Sequence, residues 1–201
     1  MQLVQLFPTG VGIFNLDREL SNAEKQFLVN LPKNQNILNQ ISVATYVLNH
    51  EVLQDLKVFL DKCLKEYFDA IYDPSTECSL KITQSWCNYS GDGDGHHSHF
   101  HPNSIVSGVF YIQTTDLDKI IFYREHQTHH EIRIDPKHFH SINANSWWLP
   151  TKQYSLVLFP STLRHSVDNI TRDETRISLS FNTFFSGTVG SNKHLTELIL
   201  P

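Results

Sequence analysis

The chain has 201 residues, of which 40% are hydrophobic and 18% charged, a length and composition that suit one folded domain with its own core. Its formal charge of -5, without a cluster of lysine and arginine, excludes a phosphate-tracking surface, so we expect no nucleic-acid partner. No apolar run is long enough for a membrane span, and 3 cysteines without paired spacing predict no disulfide framework, so we expect no membrane partner and a cytoplasmic location.

The first third of the chain predicts helices. Ser21-Asn-Ala-Glu24 has the form of a capping box, in which two side chains satisfy backbone N–H groups at a helix start. Between about residues 49 and 71, apolar residues recur every three to four positions, which predicts a longer helix with one face packed on a sheet. We therefore expect helical support over about residues 18–75.

The second part of the chain predicts strands, because short runs of β-branched and aromatic residues alternate with clusters of Gly, Asp, Asn and Pro. The predicted strands cover residues 80–89, 105–112, 119–123, 131–134, 155–159 and 175–185, with 11–14 as a candidate edge strand. Many short strands with irregular turns are typical of a jelly roll. The predicted fold is thus mainly β with N-terminal helices (α+β): a double-stranded β-helix, or cupin-like jelly roll, over about 80–186 of a single domain, 1–201.

A cluster of histidines follows the first of the long predicted strands. Alternate residues of an extended chain share a face, so His97, His99 and His101 can point the same way, and Pro102 favours an extended His101. Neutral imidazole is a ligand suited to iron, zinc, copper or nickel. The pair His99 and His101 is therefore a candidate metal clamp, with a solvated group of surface histidines as the alternative. We expect His97 to lie outside the ligand set, because it stands closer to the glycine-rich turn, where the chain should already be turning away.

A further histidine, His165, closes a turn that begins at Pro160, after the apolar strand 155–159. In a β-sandwich this strand can lie beside the strand of the first histidine pair. Two ligands from one strand and a third from a distant one form the usual facial metal site. Asp92 and Asp94, on the preceding glycine-rich turn, are alternative ligands that would bring a carboxylate.

Arg176 and Ser178 share one face of the last predicted strand, and the apolar residues between and after them share the other. An arginine that points inward needs a partner, because burying an unpaired charge is costly. The carboxylate of an anionic ligand would fit the planar guanidinium group. The alternative is a salt bridge to Glu174 or to another carboxylate at the edge of the sheet.

Taken in order, these motifs resemble a known family. Asn88-Tyr89, His99-x-His101 and Ser-Gly-Val-Phe-Tyr-Ile, followed by Phe-Pro-Ser before His165 and Arg176-x-Ser178, resemble the prolyl-hydroxylase-type 2-oxoglutarate/Fe(II) oxygenases. They are more similar still to a 2-oxoglutarate oxygenase family found in bacteria and phages. The resemblance covers about residues 84–185.

This resemblance implies a site and a reaction. It implies Fe(II) at His99, His101 and His165, and 2-oxoglutarate as cosubstrate with Arg176 and Ser178 on its distal carboxylate. Tyr89 matches a tyrosine that often contacts the cosubstrate in such enzymes. The implied reaction uses O2 to hydroxylate a small-molecule or peptide substrate, and the family's distribution allows a phage-encoded enzyme acting in the host cytoplasm.

The sequence departs from the wider superfamily at one ligand, because it has His-x-His where His-x-Asp or His-x-Glu is usual. A third imidazole leaves one more positive charge on the metal than a carboxylate does, which can change metal preference or oxygen reactivity. Two other functional hypotheses remain open at this point. One is a cupin-type metal-dependent dioxygenase or isomerase that does not use 2-oxoglutarate. The other is a non-catalytic β-sandwich binding module, in which Trp147 and Trp148 would form a binding platform. The alternative for these two tryptophans is packing in a core or loop.

Overall fold

The computed structural model describes residues 1–2, 4–124, 135–169, 171 and 173–201. In this part of the chain the strands are β1 Gly12–Asn15, β2 Lys33–Gln35, β3 Gln40–Ser42, β4 Cys78–Ser90, β5 His96–His99, β6 Val106–Gln113, β7 Lys119–Tyr123, β8 Ser146–Pro150, β9 Ser155–Pro160, β10 His165–Val167, β11 Arg176–Val189 and β12 Leu198–Leu200. The helices are α1 Asn22–Val29 and α2 Gln54–Tyr72, and there are 3₁₀ turns at Val47–Asn49, Glu51–Leu53 and Asn192–His194. No helix among these residues is long and apolar enough to cross a membrane.

The helices begin and end where local chemistry dictates. The capping box is present: the Ser21 side chain accepts a bond from the Glu24 backbone N–H, and the Glu24 carboxylate accepts one from the Ser21 N–H. Glu24 is buried and also pairs with Arg18, at 2.7 Å. The second helix starts at Gln54 rather than near residue 49, because 3₁₀ turns occupy the segment before it. It ends where Asp73 takes up a left-handed conformation with φ 40°.

The strands form two antiparallel sheets. The larger sheet has the order β1-β9-β6-β11-β4-β3-β2, with β12 added to β11, and the smaller sheet has the order β5-β10-β7-β8. Val109, Tyr111 and Phe159 of the larger sheet pack against Ile120 and Phe122 of the smaller one, so the two sheets face each other. This is the predicted jelly-roll arrangement, an open sandwich supported by two helices.

The helices cover the other face of the larger sheet. Leu56, Leu60 and Leu64 of α2 belong to one buried cluster with Leu179 and Phe181 of β11. Burying such side chains is worth about 1.5–3 kcal/mol each, which makes this cluster the main apolar core. The predicted packing of the apolar face of this helix on a sheet is therefore confirmed.

Most of the predicted strands are confirmed to within a few residues, namely those now seen as β4, β6, β7, β9 and β11 and the edge strand β1, which pairs with β9. The predicted strand 131–134 lies outside the described residues. Prediction failed for the polar strands β2 and β3, which carry no apolar alternation. It also failed for Trp147 and Trp148, which do not pack in a core: they are 47% and 55% exposed on β8.

Candidate metal centre

Three histidines meet where β5 and β10 lie side by side. His99 ends β5 and is the direct cross-strand partner of His165, which begins β10. His101 follows two residues after His99, and its backbone N–H donates to the carbonyl oxygen of Ser161 in the turn before β10, at 2.9 Å. One ring nitrogen of each histidine lies within 4.8 Å of those of the other two. The predicted clamp and the distant third histidine are therefore brought together.

Backbone carbonyls orient two of these rings. His99 Nδ1 lies 2.8 Å from the carbonyl oxygen of His97, and His165 Nδ1 lies 3.0 Å from that of Leu163. Because a carbonyl oxygen can only accept, both Nδ1 atoms carry the proton. Each ring is thereby left with an unprotonated Nε2, the form in which histidine binds a metal.

The three rings are held neutral by their surroundings. Burial lowers the pKa of His165 to about 3 and that of His101 to about 4, and burial also lowers the pKa of His99. The Asn182 side chain, whose amide oxygen can accept a hydrogen bond from the protonated ring, acts in the opposite direction on the pKa of His101. Neutral imidazoles with free lone pairs fit a divalent transition metal such as iron, nickel or zinc.

The two aspartates considered as alternative ligands lie apart from this cluster. Asp94 turns its carboxylate back to the N–H of Gly91, at 2.9 Å, and Asp92 is exposed. Among the described residues, the group whose ligand atoms come within metal-binding reach consists of His99, His101 and His165. The geometry therefore favours three imidazoles over a carboxylate-containing set.

One pocket connects the histidines to Arg176, since both line it. Arg176 is only 4% exposed, and its Nε lies 3.7 Å from Asp118 Oδ1, within ion-pair distance but too far for a hydrogen bond. Asp118, rather than the exposed Glu174, is thus the carboxylate beside Arg176. Within the described part of the chain, Arg176 Nε and the buried hydroxyl group of Tyr111 have no hydrogen-bond partner. Orphaned buried donors of this kind fit a ligand that accepts hydrogen bonds.

Residues 84–182 match the model of a family described as "Putative 2OG-Fe(II) oxygenase", about half of the chain, and the matched segment contains all three histidines and Arg176. The chain belongs to the 2-oxoglutarate- and Fe(II)-dependent oxygenase family. It is an enzyme of this class, which decides among the three functional hypotheses against the cupin and the binding module. Comparison with curated proteins gives no match.

Solved structures of low sequence identity share the fold of this oxygenase. A 2OG-Fe(II) oxygenase family oxidoreductase from Burkholderia pseudomallei is 13% identical, with 87% of this chain and 84% of that chain aligned and a TM-score of 0.57. HygX from Streptomyces hygroscopicus, solved with nickel and 2-oxoglutarate bound, is 10% identical over 87% and 82%, with a TM-score of 0.56. A prolyl hydroxylase from Trichoplax adhaerens, in complex with a hypoxia-inducible-factor peptide, is 14% identical over 88% and 84%, with a TM-score of 0.58.

The predicted cosubstrate residues of the oxygenase divide between two faces of the larger sheet. Ser178 lines the pocket beside Arg176, as alternation along β11 predicts. Tyr89, in contrast, lies on the helix-facing side, where its hydroxyl group donates to the carbonyl oxygen of Leu28 at 2.6 Å. The predicted contact between Tyr89 and the cosubstrate is therefore corrected, since this side chain points away from the pocket.

Tyr111 is the tyrosine that the oxygenase presents to Arg176, and the sequence interpretation missed it. It is the cross-strand partner of Ser178, and the Arg176 guanidinium carbon lies 5.3 Å from the centre of its ring. Burial raises the pKa of Tyr111 to about 12, so its hydroxyl group stays protonated and can donate. Alternation along β6 could have found it, because Ser107 and Tyr111 share a parity and both line the pocket.

The strand β5 contains an irregularity that changes which histidines enter the pocket. His99 pairs with His165, but His96 rather than His97 pairs with Val167, so β5 carries one extra residue there. As a result His97 is exposed and His96 lines the pocket. The parity that His97 shares with His99 and His101 in the sequence therefore does not place it on their face, because the bulge reverses the alternation and no sequence pattern marks its position.

Proposed function

We propose that this oxygenase binds Fe(II) through His99, His101 and His165 and holds the distal carboxylate of 2-oxoglutarate with Arg176, Ser178 and Tyr111. The observation that carries the proposal is the pocket, because the histidine cluster and the buried arginine both line it. A ligand that reaches from one to the other needs a metal-binding group at one end and an anion at the other. 2-Oxoglutarate has both.

The metal half of the proposal is supported by the donor set. Three neutral imidazoles within 4.8 Å of one another suit Fe(II), and HygX, which has the same fold, was solved with nickel and 2-oxoglutarate. Bound together, the metal and cosubstrate supply the oxidising chemistry: O2 converts 2-oxoglutarate to succinate and CO2, and its second oxygen atom enters the substrate as a hydroxyl group. The residues of the chain bind, orient and shield these groups.

The cosubstrate half is supported by the electrostatics of β11. Arg176 is buried beside Asp118, but the 3.7 Å between Nε and Oδ1 is too long for a hydrogen bond, and the Nε–H has no hydrogen-bond partner in the described part of the chain. A carboxylate would accept from the guanidinium group and from the Tyr111 hydroxyl group, with Ser178 directly across from Tyr111. The Tyr111 side chain belongs to the apolar cluster that contains Phe159, and the Phe159 ring also packs on His165.

For the primary substrate we propose a small molecule or a peptide, as in structures of this fold solved with hygromycin B and with a peptide fragment. Three free cysteines, Cys63, Cys78 and Cys87, support a reducing cytoplasm, which for a phage-encoded enzyme would be that of the host. The net charge of -5 favours substrates other than nucleic acid. The chain is expected to act as one domain.

The test is the affinity of the Mn(II)-loaded protein for 2-oxoglutarate, measured by calorimetry in wild type and Arg176→Ala. We expect Arg176→Ala to bind Mn(II) normally and to lose at least about 100-fold in 2-oxoglutarate affinity, since it removes a charged, potentially bidentate contact. Arg176→Lys should recover part of the affinity, because the charge remains while the planar fork is lost. Arg164→Ala is the matched control, since Arg164 is exposed and lies outside the pocket lining. Equal 2-oxoglutarate affinities in wild type and Arg176→Ala would refute this assignment.

A further inference from the structure

His96 lines the pocket, but the proposed iron and 2-oxoglutarate sites give it no role. It stands three residues before His99 and enters the pocket because of the bulge in β5. It does not belong to the group of histidines within metal-binding reach of one another, which consists of His99, His101 and His165. A bulge that re-aims one side chain into a site is more often a functional device than a defect.

The surroundings of His96 show where in the pocket its ring lies. The ring stacks on His99, with centroids 4.3 Å apart and an interplanar angle of 24°. His96, His99, His101 and Arg176 all line the same pocket. Within this pocket, which also contains Arg176, His96 therefore stands beside the metal ligand His99.

The ring of His96 has a hydrogen-bonding capacity that the protein leaves unused. Among the described residues no side chain or backbone group makes a hydrogen bond to its nitrogens, in contrast to His99 and His165, whose Nδ1 atoms are bonded to backbone carbonyls. Half-buried polar groups in a pocket are normally satisfied, by protein, water or ligand. A ligand lying between the metal ligands and Arg176 would pass this ring.

We propose that His96 donates a hydrogen bond to the keto-acid end of 2-oxoglutarate, at the carboxylate next to the keto group. This proposal rests on the proposed function, and it divides recognition between two ends of one ligand. Arg176, Tyr111 and Ser178 serve the distal carboxylate, while His96, stacked on a metal ligand, serves the end that the metal binds. No covalent step is assigned to His96.

The test uses two probes that differ at one end. Pyruvate has the keto-acid group of 2-oxoglutarate but lacks the distal carboxylate. The affinities of Mn(II)-loaded wild type, His96→Ala and Arg176→Ala for each probe are measured by calorimetry, together with the affinity of each metal-free protein for Mn(II). His97→Ala is the matched control, since it removes the neighbouring histidine, which is exposed and outside the pocket.

We expect His96→Ala to weaken binding of both 2-oxoglutarate and pyruvate by the same factor, about 10-fold to 100-fold, as for one lost hydrogen bond to a charged group. Mn(II) affinity should be unchanged, and His97→Ala should match wild type in all three measurements. Arg176→Ala should weaken 2-oxoglutarate and leave pyruvate unaffected. His96→Gln should recover part of the loss, because its amide retains an N–H donor, whereas His96→Leu should not; this pair also carries the test if the alanine variant fails to fold.

Three outcomes would overturn the proposal in different ways. Loss of Mn(II) in His96→Ala would make His96 a metal ligand. If His96→Ala weakens the binding of 2-oxoglutarate but not of pyruvate, His96 contacts the distal carboxylate instead. If the affinities for both probes are unchanged, His96 makes no contact with the cosubstrate. If wild-type protein binds Mn(II) but neither probe, the proposed function itself fails, and this result is distinguishable because it appears without any substitution.

Discussion

The two faces of the central strand β11 are both buried, yet they differ in chemistry. The helix-facing side carries Ile177, Leu179 and Phe181, which join the main apolar core. The other side carries Arg176, Ser178 and Ser180, which line the pocket with equally little exposure. One strand therefore serves as a structural element on one side and as a binding surface on the other.

The neighbouring strand β4 repeats this division. Cys87 and Tyr89 face the helices, whereas Trp86 and Asn88 line the pocket. Within the sandwich, the polar side of β4 and β11 continues into an apolar patch on β6 and β9, where Val109 and Phe159 meet the smaller sheet. Burying a polar surface costs free energy unless its groups are bonded. Asn88 donates to Ser180 on this side, whereas Arg176 Nε and the Tyr111 hydroxyl group have no hydrogen-bond partner in the described part of the chain, so these two groups suit a ligand.

The largest expected effect is loss of metal from the histidine cluster. His165→Ala should lower Fe(II) affinity, measured anaerobically, by more than about 100-fold. This loss exceeds the range of about 10-fold to 100-fold that is typical when a residue that only hydrogen-bonds to a metal ligand is replaced. The same should hold for His99→Ala and His101→Ala, while His97→Ala should bind as wild type does.

His101→Asp sharpens this prediction, because it restores the two-histidine, one-carboxylate set usual in the superfamily. We expect this variant to retain metal. Wild-type Fe(II) affinity in His165→Ala would show that the cluster is not the metal site, and loss of metal in His97→Ala would show that the ligands are wrongly assigned.

The second expected effect belongs to the helix-facing side. Leu179 is fully buried in the main core, so Leu179→Ala should reduce the free energy of unfolding by about 2–5 kcal/mol. Metal affinity of the folded fraction should not change, because Leu179 points away from the pocket. Urea denaturation of the metal-free protein, followed by metal titration below the transition, measures both quantities. A large change in metal affinity with little change in stability would contradict the division between the two faces.

Strand regularity explains which parts of the fold and of the site could be predicted from the sequence. Strand periodicity predicted the positions of β4, β6, β9 and β11 and the pocket-facing Arg176 and Ser178, because alternation holds along a regular strand. It failed for His96 and His97, where a bulge shifts the register. It also failed for Tyr89, which was assigned by motif and not by face. Register and bulges depend on the partner strand, which a single segment does not contain.

The third expected effect separates two tyrosines on opposite faces. Tyr89→Phe removes the bond to the Leu28 carbonyl and should cost about 1–2 kcal/mol of stability, with unchanged 2-oxoglutarate affinity. Tyr111→Phe should lower 2-oxoglutarate affinity about 10-fold and leave stability unchanged, since its hydroxyl group has no partner in the described part of the chain. Thermal unfolding and calorimetry on the Mn(II)-loaded variants give both values. The reverse pattern would restore the motif-based assignment of Tyr89.

The smallest expected effect is at Ser178, which lines the pocket opposite Tyr111 and beside Arg176. Ser178→Ala removes one neutral hydroxyl group, so 2-oxoglutarate affinity should fall about 3-fold to 10-fold, less than for Arg176→Ala. Stability should change by less than about 1 kcal/mol, because the substitution creates no large cavity. Ser186→Ala is the control, since Ser186 is also buried on β11 but lies outside the pocket lining. Equal losses of 2-oxoglutarate affinity in both serine variants would mean that a small change anywhere along β11 weakens binding. The pocket face of β11 would then not be a separate binding surface.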